Sequence, residues 1–141
     1  MRSDRFVLDA NIWISYFISE RVEVLLHIIY ENEITVYSCD ELLEELKRVL
    51  DYGHLKKYKA DVKEALRIFK EATCHFEISH PFKDYIPEDP DDNYVIALAL
   101  QSNSGFVASG DKHILNAKKR LEKKYSKLRV LTKAELEKMF V

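Results

Sequence analysis

Four carboxylates stand at positions where a parallel sheet would bring them together. Asp9 directly follows an apolar run that is typical of a buried strand, and Asp111 follows another such strand after Gly110. Glu45 and Asp92 lie on predicted helices that begin at the same edge of the sheet. Ligands of open parallel sheets bind in the crevice beyond the carboxyl ends of the strands. Four converging acids repel one another unless a cation lies among them, and oxygen ligands without Cys or His suit Mg²⁺ or Mn²⁺. The pattern therefore predicts a metal site for phosphoryl-transfer hydrolysis.

Each of these acids, taken alone, has a simpler interpretation. Single acids at strand ends and helix starts are often caps or solvated ends. We interpret Asp89 and Asp91 in this way, because Asp89 precedes Pro90 at the start of a predicted helix. The metal hypothesis depends on four acids at matching places rather than on any one of them.

Helical phase separates two neighbouring glutamates, Glu44 and Glu45. On the helix predicted over residues 40–50, the apolar side chains form one stripe at about 100° per residue. The members of that stripe are Leu42, Leu43, Leu46, Val49 and Leu50. Glu45 lies at the edge of the stripe and can reach a crevice, whereas Glu44 points into solvent. Glu45 is therefore the candidate for the site.

The elements that would position these acids alternate along the chain. Strands are predicted at residues 6–8, 33–37, 74–78, 106–109 and 129–131. Helices are predicted at residues 12–30 (interrupted near Ser19), 40–50, 61–72, 90–100, 118–127 and after Thr132. Residues 52–59 are predicted as a connection, and two capping boxes are expected, Ser38 with Glu41 and Thr132 with Glu135. Such alternation predicts an α/β fold with a parallel sheet between helices.

Composition limits the classes of function. A chain of 141 residues favours a single domain, residues 1–141, and a net charge of -2 gives no general surface for nucleic acid. Cys39 and Cys74 are expected to be buried free thiols of a reducing compartment. Acids interrupt the N-terminal apolar run, and no stretch approaches 18 apolar residues, so we expect a cytoplasmic protein without a membrane segment.

The order of the motifs resembles the PIN-domain family, in particular its VapC-like branch of toxin components from toxin–antitoxin pairs. The resemblance spans residues 6–115 and rests on four short motifs in order. These are Val7-Leu8-Asp9-Ala10-Asn11, the run from Glu41 to Leu50, Asp89-Pro90-Asp91-Asp92-Asn93, and Ser109-Gly110-Asp111-Lys112.

The resemblance implies a three-layer α/β/α sandwich with the strand order 3-2-1-4-5 and a metal-dependent endoribonuclease acting on single-stranded RNA. It also implies an antitoxin partner and a homodimer. The family's catalytic and metal-binding acids fall on Asp9, Glu45, Asp92 and Asp111. Asn11 and Ser109 fall on its supporting polar positions, with Ser109 in place of the usual Thr. His113 stands where relatives often have an acid.

A basic segment is the candidate surface for RNA. Its side chains are Lys118, Lys119, Arg120, Lys123, Lys124, Lys127 and Arg129, and a second cluster comprises Lys56, Lys57 and Lys59. Phosphates would be drawn to such patches, although most Lys-rich helices are simply solvated faces. Trp13 and Tyr16 could stack on a base, but an apolar helix surrounds them and favours packing in the core or in a dimer.

Two other classes of function remain open from the sequence. One is a phosphatase of Rossmann-like topology with Asp9 as covalent nucleophile; such enzymes usually carry a second Asp two residues on, where this chain has Asn11. The other is a catalytically silent module that binds RNA or protein, which a missing acid would indicate.

Overall fold

The computed structural model of the chain describes residues 2–51 and 61–140, with side chains from residue 4 onward. The connection predicted over residues 52–59, and with it the cluster of Lys56, Lys57 and Lys59, lies outside the described residues.

Five strands form the central sheet. They are β1 (Arg2–Leu8), β2 (Thr35–Ser38), β3 (Cys74–His75), β4 (Ser104–Ala108) and β5 (Arg129–Leu131). All neighbouring strands pair in parallel, in the order β3-β2-β1-β4-β5. The three-layer α/β/α sandwich and its strand order are therefore confirmed.

The central pair of strands sets the position of the candidate site. Phe6, Val7 and Leu8 of β1 are completely buried, as expected for a parallel strand covered on both faces. Leu8 is paired with Ala108, the last residue of β4. The residues that follow, Asp9 and Ser109, consequently leave the sheet side by side at one edge.

Helices connect the strands. They are α1 (Ala10–Ile18), α2 (Val22–Glu31), α3 (Asp40–Leu50), α4 (Val62–Ala72), α5 (Asn93–Gln101), α6 (Lys112–Asn116), α7 (Lys118–Lys124) and α8 (Lys133–Met139), and a 3-10 turn (Pro90–Asp92) precedes α5. The interruption expected near Ser19 separates α1 from α2, and Glu20 there has a φ of 58°. The helix predicted over residues 118–127 ends at Lys124, and the strand predicted over residues 74–78 contains only Cys74–His75.

One of the two predicted capping boxes is wrong. Ser38 is the last residue of β2, and its hydroxyl oxygen accepts a hydrogen bond from Thr73 Oγ1 at 3.1 Å instead of capping α3. Cys39 occupies the N-cap position of α3 without a side-chain hydrogen bond. The box of Thr132 and Glu135 at the start of α8 is confirmed, with both reciprocal bonds present.

The aromatic pair of α1 belongs to the core. Trp13 and Tyr16 are completely buried, and the Trp13 ring meets Phe69 edge-on at 5.0 Å between centroids. Neither is available to stack on a base. The thiols differ from expectation, because Cys39 is buried whereas Cys74 lies exposed on the edge strand β3. Within residues 2–51 and 61–140, no helix is long and apolar enough to cross a membrane.

Candidate functional site

Asp9 lies at the bottom of the crevice where β1 passes into α1. Its side chain is 2% exposed, and both of its oxygens accept hydrogen bonds. Oδ1 accepts from the backbone N of Ala10 at 2.8 Å, and Oδ2 accepts from Ser109 Oγ at 2.8 Å and Asn11 Nδ2 at 3.3 Å. Burial raises the pKa of Asp9 to about 6 and the charges of Glu45 and Asp111 add to the rise, while the Ser109 bond opposes it.

Ser109 and Asn11 join the ends of β1 and β4. The Ser109 hydroxyl donates to Asp9 and accepts from the backbone N of Asp111 at 3.0 Å. Asn11 donates to Asp9 and accepts from the backbone N of Gly110 at 2.8 Å. Asp111 in turn caps α6, since its Oδ1 accepts from the backbone N of His113 at 2.7 Å. The two supporting residues therefore hold Asp9 and Asp111 in one framework.

Asp92 is the last residue of the 3-10 turn that precedes α5. Its side chain is 7% exposed, and its Oδ2 is buried with no hydrogen-bond partner among the described residues. Burial raises the pKa of Asp92 to about 8, and the charges of Asp111, Asp9 and Asp89 add to the rise. Oxygens of Asp89, Asp92 and Asp111 lie within 4.8 Å of one another. We call these three residues the aspartate cluster.

Glu45 faces the crevice from α3, as its helical phase predicts. It is half-buried, whereas Glu44 is exposed and pairs with Lys47 at 3.6 Å on the surface. Glu45 Oε2 accepts a hydrogen bond from the hydroxyl of Tyr94 in α5. Glu45 is not part of the aspartate cluster, but it lies near enough to raise the pKa of Asp9.

The donor set fits a divalent cation. Asp92 Oδ2 is buried and has no hydrogen-bond partner in the described part of the chain. One carboxylate oxygen from each of Asp89, Asp92 and Asp111 lies within 4.8 Å of the other two. Burial and mutual repulsion disfavour the charged form of Asp92, and a cation among these carboxylates would favour it instead. Oxygen ligands alone favour Mg²⁺ or Mn²⁺.

Two residues of the site were missed by sequence reasoning. Asp89 was interpreted as a cap, but its side chain makes no capping bond and joins the aspartate cluster. The signal that could have revealed it is its three-residue spacing from Asp92, which places both on one side of a tight turn. Tyr94 lies within the helix predicted over residues 90–100, and no local pattern distinguishes it from its buried neighbours.

The basic segment is only partly available to a ligand. Lys118 Nζ donates to the carbonyl of Val130 at 2.7 Å. Arg120 donates to Glu88 Oε1 at 3.3 Å and to the carbonyl of Tyr85 at 3.2 Å. Lys119, Lys123 and Lys124 are exposed, and Lys124 Nζ lies 5.7 Å from the centroid of the Tyr125 ring. The free part of the segment is therefore smaller than its composition indicates.

Comparison with known proteins identifies the family of this chain. No match was found among the curated protein sequences. The structure is similar to a chain in the crystal structure of VapBC2 from Rickettsia felis, in which VapBC2 is bound to a DNA fragment from its promoter. The TM-score is 0.55 at 14% identity, and the match covers 91% of this chain and 98% of that chain. A family model described as PIN domain matches residues 5–113, a range that contains every acid of the site. The chain belongs to the PIN domain family.

Proposed function

We propose that this chain is a divalent-metal-dependent endoribonuclease that hydrolyses single-stranded RNA. The observation that carries the proposal concerns Asp92, whose buried Oδ2 has no hydrogen-bond partner within residues 2–51 and 61–140. Asp92 belongs to a cluster of three aspartates at the carboxyl edge of a parallel sheet. Membership of the PIN domain family supports the same activity. Hydrolysis would form a bond between a water oxygen and phosphorus and would break one P–O ester bond of the RNA.

In this proposal, Asp9, Glu45, Asp92 and Asp111 hold Mg²⁺ or Mn²⁺, and Asp89 adds an oxygen next to Asp92. The cation would supply Lewis-acid stabilisation of the negative charge that develops at the phosphate. Each acid is oriented by the chain itself. Ser109 and Asn11 fix Asp9, and the start of α6 fixes Asp111. Such support from residues behind the ligands is what keeps a metal site in a productive geometry.

The phosphatase alternative receives no support from the surroundings of Asp9. A nucleophilic carboxylate needs an oxygen open to the substrate, but both oxygens of Asp9 accept hydrogen bonds and the side chain is 2% exposed. The silent-module alternative is disfavoured by the presence of all four acids around one crevice.

The biological role follows the same reasoning. The fold is similar to a chain of VapBC2, and we propose that this chain is the toxin of a toxin–antitoxin pair, with a small antitoxin as partner and a homodimer as its assembly. Expression of wild type in a bacterial host should arrest growth, and Asp9→Asn should not. Light scattering of the purified protein measures the homodimer directly.

The test of the activity is cleavage of an end-labelled single-stranded RNA. Wild type should cut with Mg²⁺ or Mn²⁺ and should not cut in chelator. Asp92→Asn, which keeps the shape and removes the charge, should be inactive with either metal. Cleavage that persists in chelator, or in Asp92→Asn, would exclude the proposed site.

A further inference from the structure

A second cavity lies beside the candidate active site, where the loop before the 3-10 turn meets α7. Its volume is about 290 Å³. It is lined by the rings of Tyr85 and Tyr125 and by three cationic side chains, Lys83, Arg120 and Lys124. Leu121 and Asp84 also line it. We call it the tyrosine pocket. Neither the metal-binding acids nor the exposed Lys119 and Lys123 belong to it.

The aromatic part of the pocket has the form of a stacking platform. Tyr85 and Tyr125 meet edge-to-face, with 6.1 Å between centroids and 68° between the ring planes. Both rings are half-buried, so each keeps part of its surface open to the cavity that it lines. An aromatic ring beside a cavity can stack on any base, because every base presents a π-face.

The charged part of the pocket is suited to a phosphate. Lys83 is exposed and has no charged partner in the described part of the chain. Lys124 lies over the Tyr125 ring. Asp84 is the one acid that lines the pocket, and its Oδ1 already accepts from Asn93 Nδ2 at 2.7 Å. The pocket is therefore locally positive although the whole chain has a net charge of -2.

The pocket is rigidly connected to the aspartate cluster. Arg120 links α7 to the carbonyl of Tyr85 and to Glu88, which directly precedes Asp89. Asn93, which directly follows Asp92, accepts from the backbone N of Ile86 at 2.6 Å and donates to Asp84. Tyr85 and Asp89 are four residues apart, so their Cα atoms lie at most about 14 Å from each other. A short stretch of single-stranded RNA can span that distance.

We propose that the tyrosine pocket binds one nucleotide of the RNA substrate outside the cleaved bond, with its base stacked on Tyr85 or Tyr125 and its phosphate bound by Lys83 and Lys124. The inference rests on the proposed ribonuclease function and extends it. A subsite that requires an exposed base face accepts unpaired RNA and rejects a duplex, so the pocket would also give the nuclease its preference for single strands.

The experiment measures binding in chelator, where no cleavage occurs, with a short fluorescein-labelled RNA of mixed sequence. A variant carrying Tyr85→Leu and Tyr125→Leu should bind about 5- to 100-fold more weakly, the range expected for the loss of one stacked base. A variant carrying Tyr85→Phe and Tyr125→Phe keeps both rings and should bind like wild type. A duplex of the same sequence should show no dependence on the rings.

The lysines are tested separately, since both are on the surface and their removal should leave the fold intact. Lys83→Ala with Lys124→Ala should weaken binding and reduce the salt slope by about one to two units. Lys63→Ala with Lys70→Ala is the matched control, because it removes the same charge from exposed positions of α4, which precedes the edge strand β3 at the far side of the sheet from β5. Thermal melting of each variant verifies that it is folded.

The outcomes separate the pocket from the nuclease. If the leucine and alanine variants bind like wild type while wild type cleaves RNA, the pocket proposal is wrong and the nuclease stands. If binding depends on the rings but wild type cleaves with neither metal, the pocket stands and the nuclease does not. Equal weakening in the phenylalanine and leucine variants would also overturn the pocket, since rings would then not be what is recognised.

Discussion

The hydroxyl of Tyr94 donates a hydrogen bond to Oε2 of Glu45 and thereby joins the start of α5 to the middle of α3. Burial raises the pKa of Tyr94 well above its usual range, and the charges of Asp9 and Glu45 raise it further. The phenol therefore stays protonated and acts as a donor to the carboxylate. Glu45, which is the only acid of the proposed site that comes from α3, is held toward the crevice by this contact.

Tyr94→Phe removes that donor at nearly constant shape. We expect Mn²⁺ to bind about 10- to 100-fold more weakly, the usual effect of losing a residue that orients a metal ligand. Titration calorimetry measures the affinity. Tyr16→Phe is the matched control, because the Tyr16 hydroxyl donates to Glu137 Oε2 at 2.6 Å in an equivalent contact outside the site. An unchanged Mn²⁺ affinity in Tyr94→Phe would mean that the contact supports the fold alone.

Glu45→Gln and Glu44→Gln should differ sharply. Glutamine at position 45 keeps an acceptor for Tyr94 but removes the charge, so RNA cleavage with Mg²⁺ or Mn²⁺ should be abolished. Glu44 is exposed and pairs with Lys47 at the surface, so its replacement should leave cleavage nearly intact. Initial rates of RNA cleavage compare the two proteins. Equal losses would contradict the assignment of Glu45 by helical phase.

Asp9→Asn should stabilise the protein in chelator while it abolishes cleavage. The charges of Glu45 and Asp111 raise the pKa of Asp9. Two such charges about 5 Å apart repel by about 3 kcal/mol at an effective dielectric near 20. Removing the buried charge of Asp9 relieves part of such repulsion. Wild type should instead gain about 2.7 kcal/mol from metal at a hundredfold excess over its dissociation constant, a rise of roughly 5–15 °C in Tm. Melting curves with chelator and with Mn²⁺ measure both effects. If Asp9→Asn is less stable than wild type in chelator and gains as much stability from metal as wild type does, Asp9 is a structural cap.

The stability of the metal-free protein should decrease as the pH rises. A carboxyl whose pKa is higher in the folded than in the unfolded chain binds its proton more tightly when folded, so its contribution is lost as the pH rises through the folded pKa. The pKa of Asp9 is raised to about 6, and the pKa of Asp92 is raised to about 8. Between pH 5.5 and 8 in chelator, the free energy of unfolding should fall by about 4 kcal/mol. Urea unfolding at a series of pH values measures this free energy. Asp92→Asn should make the free energy of unfolding depend less on pH. Stability that increases over this interval would refute the raised pKa values.

Lys119→Ala with Lys123→Ala should reduce the salt slope of RNA binding by about one to two units without changing the affinity for metal. Both side chains are exposed on α7, unlike Lys118 and Arg120, which bind within the protein. Affinities at a series of salt concentrations give the slope. If it is unchanged, this face of α7 is an ordinary solvated surface.

The features that the sequence predicts well depend on local pattern. Asp9 follows an uninterrupted apolar strand, and the stripe on α3 determines which glutamate turns inward. Both inferences need only the periods of strand and helix. The matching positions of Asp9 and Asp111 then follow from parallel pairing, which aligns Leu8 with Ala108.

The features that it does not predict depend on contacts between distant segments. Ser38 and Glu41 have the spacing of a capping box, but the hydroxyl of Ser38 is taken by Thr73, which is 35 residues away. Lys118 belongs to a cationic run, but its ammonium group already donates to the carbonyl of Val130. Asp89 resembles a helix cap in every local respect, and only its proximity to Asp111 distinguishes it.

The hydrogen bond between Ser109 and Asp9 joins residues that are 100 positions apart, and the strands that end beside them are the centre of the sheet. Pairing of β4 with β1 must therefore wait until most of the chain has been made, and such long-range pairing is intrinsically slow to form. A nascent chain that ends before β4 carries Asp9, Glu45 and Asp92 but has neither Asp111 nor the hydroxyl that orients Asp9. The order of synthesis thus delays assembly of the acidic centre until β4 and the residues that follow it, Ser109 to Asp111, have been made.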